Sequence, residues 1–433
     1  MALVDERSCL CVKSELDLFS VPSTQTSIEH GCNVEYHPIA ATLDSGPIEF
    51  NVPGSGSDYL DLANTYLHLN VKITKSDGTA IGNGVKVGPS NLLLHTLFSQ
   101  VDVSLNDKLV SSSSATYAYR ALIETLLGYG TSAKLTQLTT AGFYKDTAGA
   151  MDDLDDANGG LVSRRSLTAG SKTFDLLGRL HCDIFHQEKL LLNGIGMRIK
   201  LSRNKDSFVL LHEEGEYRVV ITKAVLHVRK KRIATAVALA HAKALEHANA
   251  KYPIKRVECK TFSIPANSIS VNQEQVFMGQ LPSRVVIGLV AHDAFNGNAK
   301  KHPFNFRHYK LSKLSLQLDA QDQPVKPFYC NFDEGTFIEA YMSLFAGTGK
   351  AYKDEDLDIT REDYARGYTL FVFDLTPDDG EDDHYSLIKT GSVRLGLTFA
   401  EALRETVQVV VYAEFQNVLE VDRNRNVFYD FAA

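Results

Sequence analysis

Apolar and polar residues alternate in the segment 97–110, whose sequence is LFSQVDVSLNDKLV. A period of two is expected of a half-buried β-strand, and the pair Asn106-Asp107 supplies the residues of a tight turn. The next segment, 111–130, carries apolar residues at helical spacing that end at Gly128. The pattern predicts a strand, a turn, a short strand and then a helix.

The same order of elements recurs in the second half of the chain. The alternating stretch returns at an offset of 213, which aligns Val101 with Leu314, and the helix returns at an offset of about 215, which aligns Ile123 with Ile338. Further blocks match in sequence order: Phe50 and Pro53 with Phe262 and Pro265, Arg198 with Arg394, and Val219 with Val409. Matched blocks whose length differences lie in loops indicate a duplicated domain.

Each half holds many short strands, with one or two short helices in long loops. Clean alternation favours antiparallel sheets, and the absence of regular strand–helix–strand alternation argues against an α/β fold. We predict an all-β fold of two tandem jelly-roll β-sandwiches, a double jelly roll, with short helices in loops and a helical linker. The predicted units are an N-terminal arm over 1–46, a first jelly roll over 47–232, a linker helix over 233–253, and a second jelly roll with a C-terminal tail over 254–433.

The linker helix is predicted from an Ala-rich stretch near the middle of the chain, RIATAVALAHAKALEHANAKYP (232–253). Helix-forming residues fill this stretch, and Pro253 is expected to end it. No other stretch of the sequence predicts a long helix as convincingly.

Composition narrows the classes of function. The chain has 433 residues, of which 44% are hydrophobic and 23% charged, as in soluble globular proteins. A net charge of −8 argues against coating nucleic acid, which needs a concentrated basic surface. We expect no membrane span and no signal peptide. Six cysteines suit a reducing compartment, so synthesis and retention in the cytosol or nucleus are expected.

Motifs that would carry catalysis or bind a cofactor are missing from the sequence, which has no G-x-S-x-G, P-loop, H-E-x-x-H or C-x-x-C. Weaker candidates remain for binding. The Gly-rich loop 54–58 is a candidate for phosphate, the acidic runs 152–156 and 378–383 for a cation, and the basic cluster 227–232 for nucleic acid. The candidates for metal are Cys9, Cys11, His241, His247, His292, His302 and His308. Surface or loop roles explain each of them better. The basic cluster is expected either to face nucleic acid or to pair with acidic neighbours. We predict no catalytic, cofactor-binding or metal-binding residue, and a building block in place of an enzyme.

Three long segments carry a resemblance to a known family: LAHAKALEHANAKYPIKRVECKTFSIP (239–265), SELDLFSVPSTQTSIEHG (14–31) and AEFQNVLEVDRNRNVFYDF (413–431). In these segments the chain resembles the double jelly-roll major capsid (hexon) proteins of the Polinton/Maverick–adintovirus group, and the resemblance extends over nearly the whole chain. Copies of that family occur in animal genomes as uncharacterised proteins.

The resemblance implies a structural protein of the virion, without cofactors, that forms homotrimers with a pseudo-hexagonal outline and tiles an icosahedral shell around a DNA genome. Its implied partners are neighbouring capsomers, a single jelly-roll penton protein and minor capsid proteins, without sequence-specific nucleic-acid binding. It implies synthesis in the host cytosol and assembly in the host nucleus or cytoplasm. On this interpretation the loops 131–172, 292–308, 348–367 and 376–386 form outward towers or contact neighbours, and the terminal arms lie inside the shell or bridge trimers.

Two other classes of function remain as alternatives. A ligand-binding or receptor-attachment β-sandwich of the carbohydrate-binding type predicts an aromatic platform, whereas this sequence has no Trp. A β-rich hydrolase needs two loop carboxylates directed into one cleft. The sequence alone does not test that requirement.

Overall fold

The computed structural model of the chain describes residues 11, 13–40, 43, 46–112, 114–318, 326–377 and 384–429. Its strands form two β-sandwiches in sequence order. The first sandwich and a small added ribbon contain β1 (Ile28–Tyr36), β2 (Ile48–Val52), β3 (Tyr59–Lys75), β4 (Val87–Pro89), β5 (Phe98–Leu105), β6 (Lys108–Leu109), β7 (Phe174–Gly178), β8 (Met197–Arg203), β9 (Leu210–His212) and β10 (Tyr217–Ile233).

The second sandwich repeats the first without the ribbon and adds β19, which pairs with β18. It contains β11 (Ala250–Ile264), β12 (Ser270–Gln280), β13 (Arg284–Ala291), β14 (Leu311–Leu318), β15 (Phe328–Tyr329), β16 (Leu370–Asp374), β17 (Thr390–Phe399), β18 (Val407–Val421) and β19 (Val427–Phe428).

The helices are short and lie in the connections between strands. They are α1 (Leu93–Thr96), α2 (Tyr117–Gly128), α3 (Thr131–Leu135), α4 (Gly159–Thr168), α5 (Asp206–Val209), α6 (Thr235–Ala244), α7 (His292–Asn296), α8 (Ile338–Ala346) and α9 (Arg361–Ala365). The 3-10 turns are Ser14–Leu16, Gln137–Ala141, Ala169–Ser171 and Asp183–His186.

The two sandwiches have one strand order. In the first, the sheets are β1-β10-β3-β7 and β2-β8-β5-β6, and in the second they are β11-β18-β13-β16 and β12-β17-β14-β15. All of these pairings are antiparallel. The strands of each half alternate between its two sheets as far as a hairpin within one sheet, β5–β6 or β14–β15, and then retrace the order in reverse, which is the rolled-up hairpin of a jelly roll. The predicted fold class is confirmed.

Ladder register supports two of the predicted repeat matches. Arg198 on β8 pairs with Ser104 on β5, and Arg394 on β17 pairs with Gln317 on β14. Ser104 and Gln317 differ by the same 213 positions that align Val101 with Leu314. The central strands of the two sandwiches therefore correspond residue by residue.

The predicted match of Phe262 and Pro265 to Phe50 and Pro53 is wrong. Phe50 lies on β2, which pairs with β8, whereas Phe262 lies on β11, which pairs with β18. The counterpart of β2 is β12, which pairs with β17 as β2 pairs with β8. Both strands end directly before a proline. Because proline is excluded from the interior of most strands, a proline after a strand does not identify which strand precedes it.

The predicted arm also holds a strand of the fold. β1 lies within the predicted arm 1–46 and forms the edge of its sheet beside β10. It occupies the place that β11 has in the second sandwich. Its alternation was missed because an edge strand is exposed on much of its surface, and none of its residues is fully buried.

The predicted linker helix is much shorter than 233–253. α6 ends at Ala244, and β11 begins at Ala250, so Pro253 lies inside a strand, where it pairs with Val418. β11 is an edge strand, where a residue without an N–H is tolerated. Pairing along the whole of β11 outweighs the helix propensity of the residues before Pro253. The longest described helix is α2, not the linker.

Candidate functional site

Helix α2 lies between the two sandwiches and contacts β5 of the first and β11 and β18 of the second. Tyr119 on this helix is 2% exposed and donates its hydroxyl proton to the Pro303 carbonyl over 2.8 Å. Its ring packs on Phe295, Phe304 and Phe306 of the β13–β14 connection, at centroid distances of 5.3, 5.3 and 6.4 Å. One hydrophobic cluster therefore runs through both sandwiches.

A charged network follows on the next face of α2. Arg120 donates from Nε to Glu124 Oε1 over 2.8 Å and lies 2.7 Å from Asp183 Oδ1 through Nη2. Tyr429, near the C-terminus, donates to Asp183 Oδ2 over 3.1 Å. The Tyr412 hydroxyl on β18 lies 3.0 Å from Glu414 Oε1 and 3.4 Å from Glu124 Oε1. The network therefore fastens α2 to both sandwiches and to the C-terminal tail.

The surroundings of Glu124 keep its carboxylate ionised. Burial disfavours the charge, but Arg120 and then His181 hold the pKa of Glu124 well below its usual range. Burial raises the pKa of Asp183 against the opposing effect of Arg120. Such a network costs desolvation energy, and removing one partner leaves a buried charge without compensation.

A second network joins the loops of the two sandwiches. Arg164 on α4 is fully buried and donates to the Pro89 and Tyr144 carbonyls and, over 2.7 Å, to Asp146 Oδ1. His302 of the second sandwich places Nε2 3.2 Å from Asp146 Oδ2. Burial works against ionisation of Asp146, but Arg164 and His302 hold its pKa well below the usual carboxyl range.

Three of the four predicted loop excursions meet at one end of the sandwiches. The loop 131–172 contacts 292–308 through Asp152, which accepts the His302 N–H over 2.8 Å, and contacts 348–367 where the Gly149 N–H donates to the Arg366 carbonyl over 2.6 Å. A charged cleft of about 890 Å³ opens beside them.

The fourth loop, of which the structure describes 376–377 and 384–386, belongs to the connection from β16 to β17, and these described residues lie at the opposite end of the sandwich. There the Tyr385 hydroxyl donates to the Asn417 carbonyl. Loop length alone does not reveal at which end of a sheet a connection lies.

The histidines singled out from the sequence do not converge. His292 Nδ1 lies 2.9 Å from Gln408 Oε1, His302 faces Asp146, and the ring of His308 stacks on Phe332 at 4.0 Å. His241 on α6 contacts the Tyr59 hydroxyl at 3.0 Å, and His247 is exposed beyond the helix end. Each of the first four has its own structural partner.

The charged runs are largely paired within the chain. In the basic cluster 227–232, Lys231 lies 2.7 Å from Asp61 and Arg232 lies 3.4 Å from Asp58. Of the two expectations for this cluster, these contacts fit pairing with acidic neighbours. Within the acidic run 152–156, Asp155 pairs with Lys86. The run 378–383 and Cys9 lie outside the described residues, and Cys11 is an exposed free thiol. The Gly-rich loop 54–58 joins β2 to β3.

Within the part of the chain that the structure describes, one group of three potential metal ligands converges: Glu124, His181 and His186. Sequence reasoning missed it because the two histidines lie far from Glu124 along the chain. β7 ends at Gly178, and the residues after it turn back toward α2. The spacing of Arg120 and Glu124 on one helix face was the available signal for the charged network. None of the described helices combines the length and apolarity of a membrane span.

Known proteins resemble this chain over nearly its whole length. No protein-family model matches the sequence. The uncharacterised protein F54H12.2 of Caenorhabditis elegans is 26% identical over 426 residues, which cover 95% of this chain and 99% of that protein.

Solved structures give the class of fold. A chain of the Sputnik virophage cryo-EM structure matches with a TM-score of 0.66 and 11% identity, covering 100% of this chain and 94% of that chain. The mavirus major capsid protein matches at 0.58 and 10%, covering 99% and 97%, and the Faustovirus major capsid protein matches at 0.55 and 9%, covering 94% and 92%. The chain shares the double jelly-roll fold with viral major capsid proteins.

Proposed function

We propose that this chain is a major capsid protein, a structural and non-enzymatic subunit of an icosahedral virion shell. One observation carries the proposal: two sandwiches of identical strand order, joined through a continuous core, align over nearly their whole length with the major capsid proteins of mavirus and Faustovirus. A ligand-binding sandwich is not favoured, because these full-length likenesses are to shell proteins.

The proposed assembly unit is a homotrimer of hexon type. Two similar sandwiches per chain give six per trimer, and six similar units around one axis produce the near-sixfold outline that tiles a shell. Closed cyclic symmetry of this kind is common in homo-oligomers. Neighbouring capsomers, a penton protein and minor capsid proteins are the proposed partners, in a virion that assembles in the host nucleus or cytoplasm.

We also propose membership of the Polinton/Maverick–adintovirus group. The sequence segments 14–31, 239–265 and 413–431 support it, as does the nearly full-length likeness to an uncharacterised animal protein. The proposed units are the first jelly roll from β1 to β10, the short linker helix α6, and the second jelly roll from β11 with a C-terminal tail.

The loop end formed by 131–172, 292–308 and 348–367 is the proposed outer, tower-bearing face. The length of these three loops and the charged cleft of about 890 Å³ beside them suit contacts with neighbouring proteins. The loop 376–386, at the other end, is proposed to contact the interior or adjacent capsomers.

Light scattering coupled to size-exclusion chromatography tests the trimer. The chain has a mass of 47.9 kDa, so a trimer has three times that mass, about 144 kDa. We expect the trimer mass across a concentration series. A species that stays at the monomer mass at every concentration would contradict the proposed assembly.

A further inference from the structure

A pair of histidines and a carboxylate converge beside α2 without serving the proposed shell function. His181 Nδ1 lies 2.6 Å from Glu124 Oε2, and His186 Nε2 lies 3.6 Å from the same oxygen. The donor atoms of all three residues lie within 4.8 Å of one another. Two imidazoles and one carboxylate form a typical ligand set for Zn²⁺ that keeps a further coordination position open.

The other groups around the carboxylate orient it for such a role. Arg120 donates to Oε1 of Glu124, whereas both histidines lie nearest to Oε2. Arg120 is held in turn by Asp183. Hydrogen-bonded partners of this kind fix the geometry of metal ligands and are part of a metal site.

The site is also accessible. A cavity of about 450 Å³ is lined by all three residues and reaches β18 of the second sandwich at Tyr412 and Glu414. The side chain of His186 is 34% exposed, whereas that of His181 is 9% exposed. An ion can therefore enter from the His186 side, with its open position directed into the cavity.

We propose that Glu124, His181 and His186 bind a divalent transition-metal ion, Zn²⁺ by preference, at the interface between the two sandwiches. Mixed nitrogen and oxygen donors suit Zn²⁺ better than Mg²⁺ or Ca²⁺, which prefer oxygen alone. The ion links α2 to the turn Asp183–His186, both of which belong to the first sandwich. The proposal is independent of the shell function.

Calorimetric titration of the tag-free full chain with Zn²⁺, after removal of metal by a chelator, tests the site. We expect one strong site per chain in the wild type. Because loss of an outer-shell partner alone typically weakens binding by about 10–100-fold, His186→Ala, which removes a ligand, should weaken it by at least about 100-fold. His186→Cys retains a ligand and should restore binding. His247→Ala removes an exposed histidine as the matched control and should bind like the wild type.

Co²⁺ in place of Zn²⁺ gives a readout of geometry, since a four-coordinate site produces strong visible absorption that His186→Ala should abolish. Circular dichroism checks that each variant is folded. Absence of strong Zn²⁺ binding to the wild type, or equal binding by the wild type and His186→Ala, would overturn the proposal.

Discussion

Arg164 and Asp146 hold the loops of the two sandwiches through contacts that only the folded chain brings together. The arginine is fully buried and each of its three donor nitrogens has an acceptor. The aspartate accepts from Arg164 and from the side chains of Asn91 and Asn158, and it faces His302. Arg164 and Asp146 are thus buried charges whose hydrogen bonds hold the surrounding loops together.

Asp146→Asn should destabilise the protein by about 3–5 kcal/mol, because it leaves the Arg164 guanidinium buried without a counter-charge. Chemical denaturation at neutral pH measures the loss. Asp156→Asn is the matched control: its side chain is 82% exposed, 3.7 Å from Arg165, and a surface pair of this kind contributes about 1 kcal/mol at most. Equal stabilities of the two variants would contradict the assigned role.

The same substitution has a defined pH dependence. The pKa of Asp146 lies well below the usual range in the folded state, so its stabilising effect is complete above the ordinary carboxyl pKa of about 3.9 and is lost as the pH falls below it. The difference in unfolding free energy between wild type and Asp146→Asn should therefore shrink below about pH 4. A difference that stays constant from pH 7 to pH 3 would show that the charge of Asp146 is not responsible.

Residues of this kind could not be predicted from the sequence. Asp146 and His302 are 156 positions apart, and nothing in their local pattern pairs them. The contact of Glu124 with His181 and His186 is similar, since the loop after β7 brings the histidines to α2. Spacing rules detect ligands on one helix or one loop, whereas these groups come from separate elements.

The turn between β5 and β6 illustrates what local sequence does determine. Asn106 and Asp107 were predicted to form it, and both have a positive φ, 44° and 65°. Two successive left-handed residues make the hairpin turn that matches strand twist. Asn106 also accepts the Gly196 N–H over 2.7 Å and donates to the Arg425 carbonyl over 2.9 Å, so the turn contacts the C-terminal tail.

Asp107→Val should lower the free energy of unfolding by about 1–2 kcal/mol, because a β-branched residue is strained at a left-handed position. Asp107→Gly is the matched variant and should be at least as stable as the wild type, since glycine adopts this conformation without strain. Thermal and chemical denaturation distinguish the two. A valine variant as stable as the glycine variant would contradict the turn assignment.

Central strands were predictable because their burial alternates. The apolar residues of β3 and β5 are nearly all inaccessible, as the alternation required. Edge strands were harder, and β1 was assigned to an arm for that reason. The Ala-rich stretch before Pro253 shows the opposite error, since local helix propensity there is overridden by pairing with β18.

At the scale of the whole molecule, the two sandwiches share one hydrophobic core. Duplication was readable from the sequence because the halves keep their element order. Their mutual packing was not readable, because it depends on α2 and on aromatic residues from the β13–β14 connection. Tyr119 lies at the centre of that contact.

Tyr119→Ala should lower the free energy of unfolding by about 3–5 kcal/mol, as expected for removal of a large buried ring. Tyr119→Phe keeps the ring and loses only the hydrogen bond to Pro303, at a cost of about 1 kcal/mol. Denaturation of both variants under one set of conditions measures the difference. If the two variants were equally stable, the ring would not be the contact that joins the sandwiches.

Electron microscopy of the purified 433-residue chain tests most directly whether this double jelly roll is the building block of a shell. We expect class averages of a trimer with a near-sixfold outline, built from six similar sandwiches, with the loops 131–172 and 348–367 on one face. Particles that contain only two sandwiches at every concentration would contradict it.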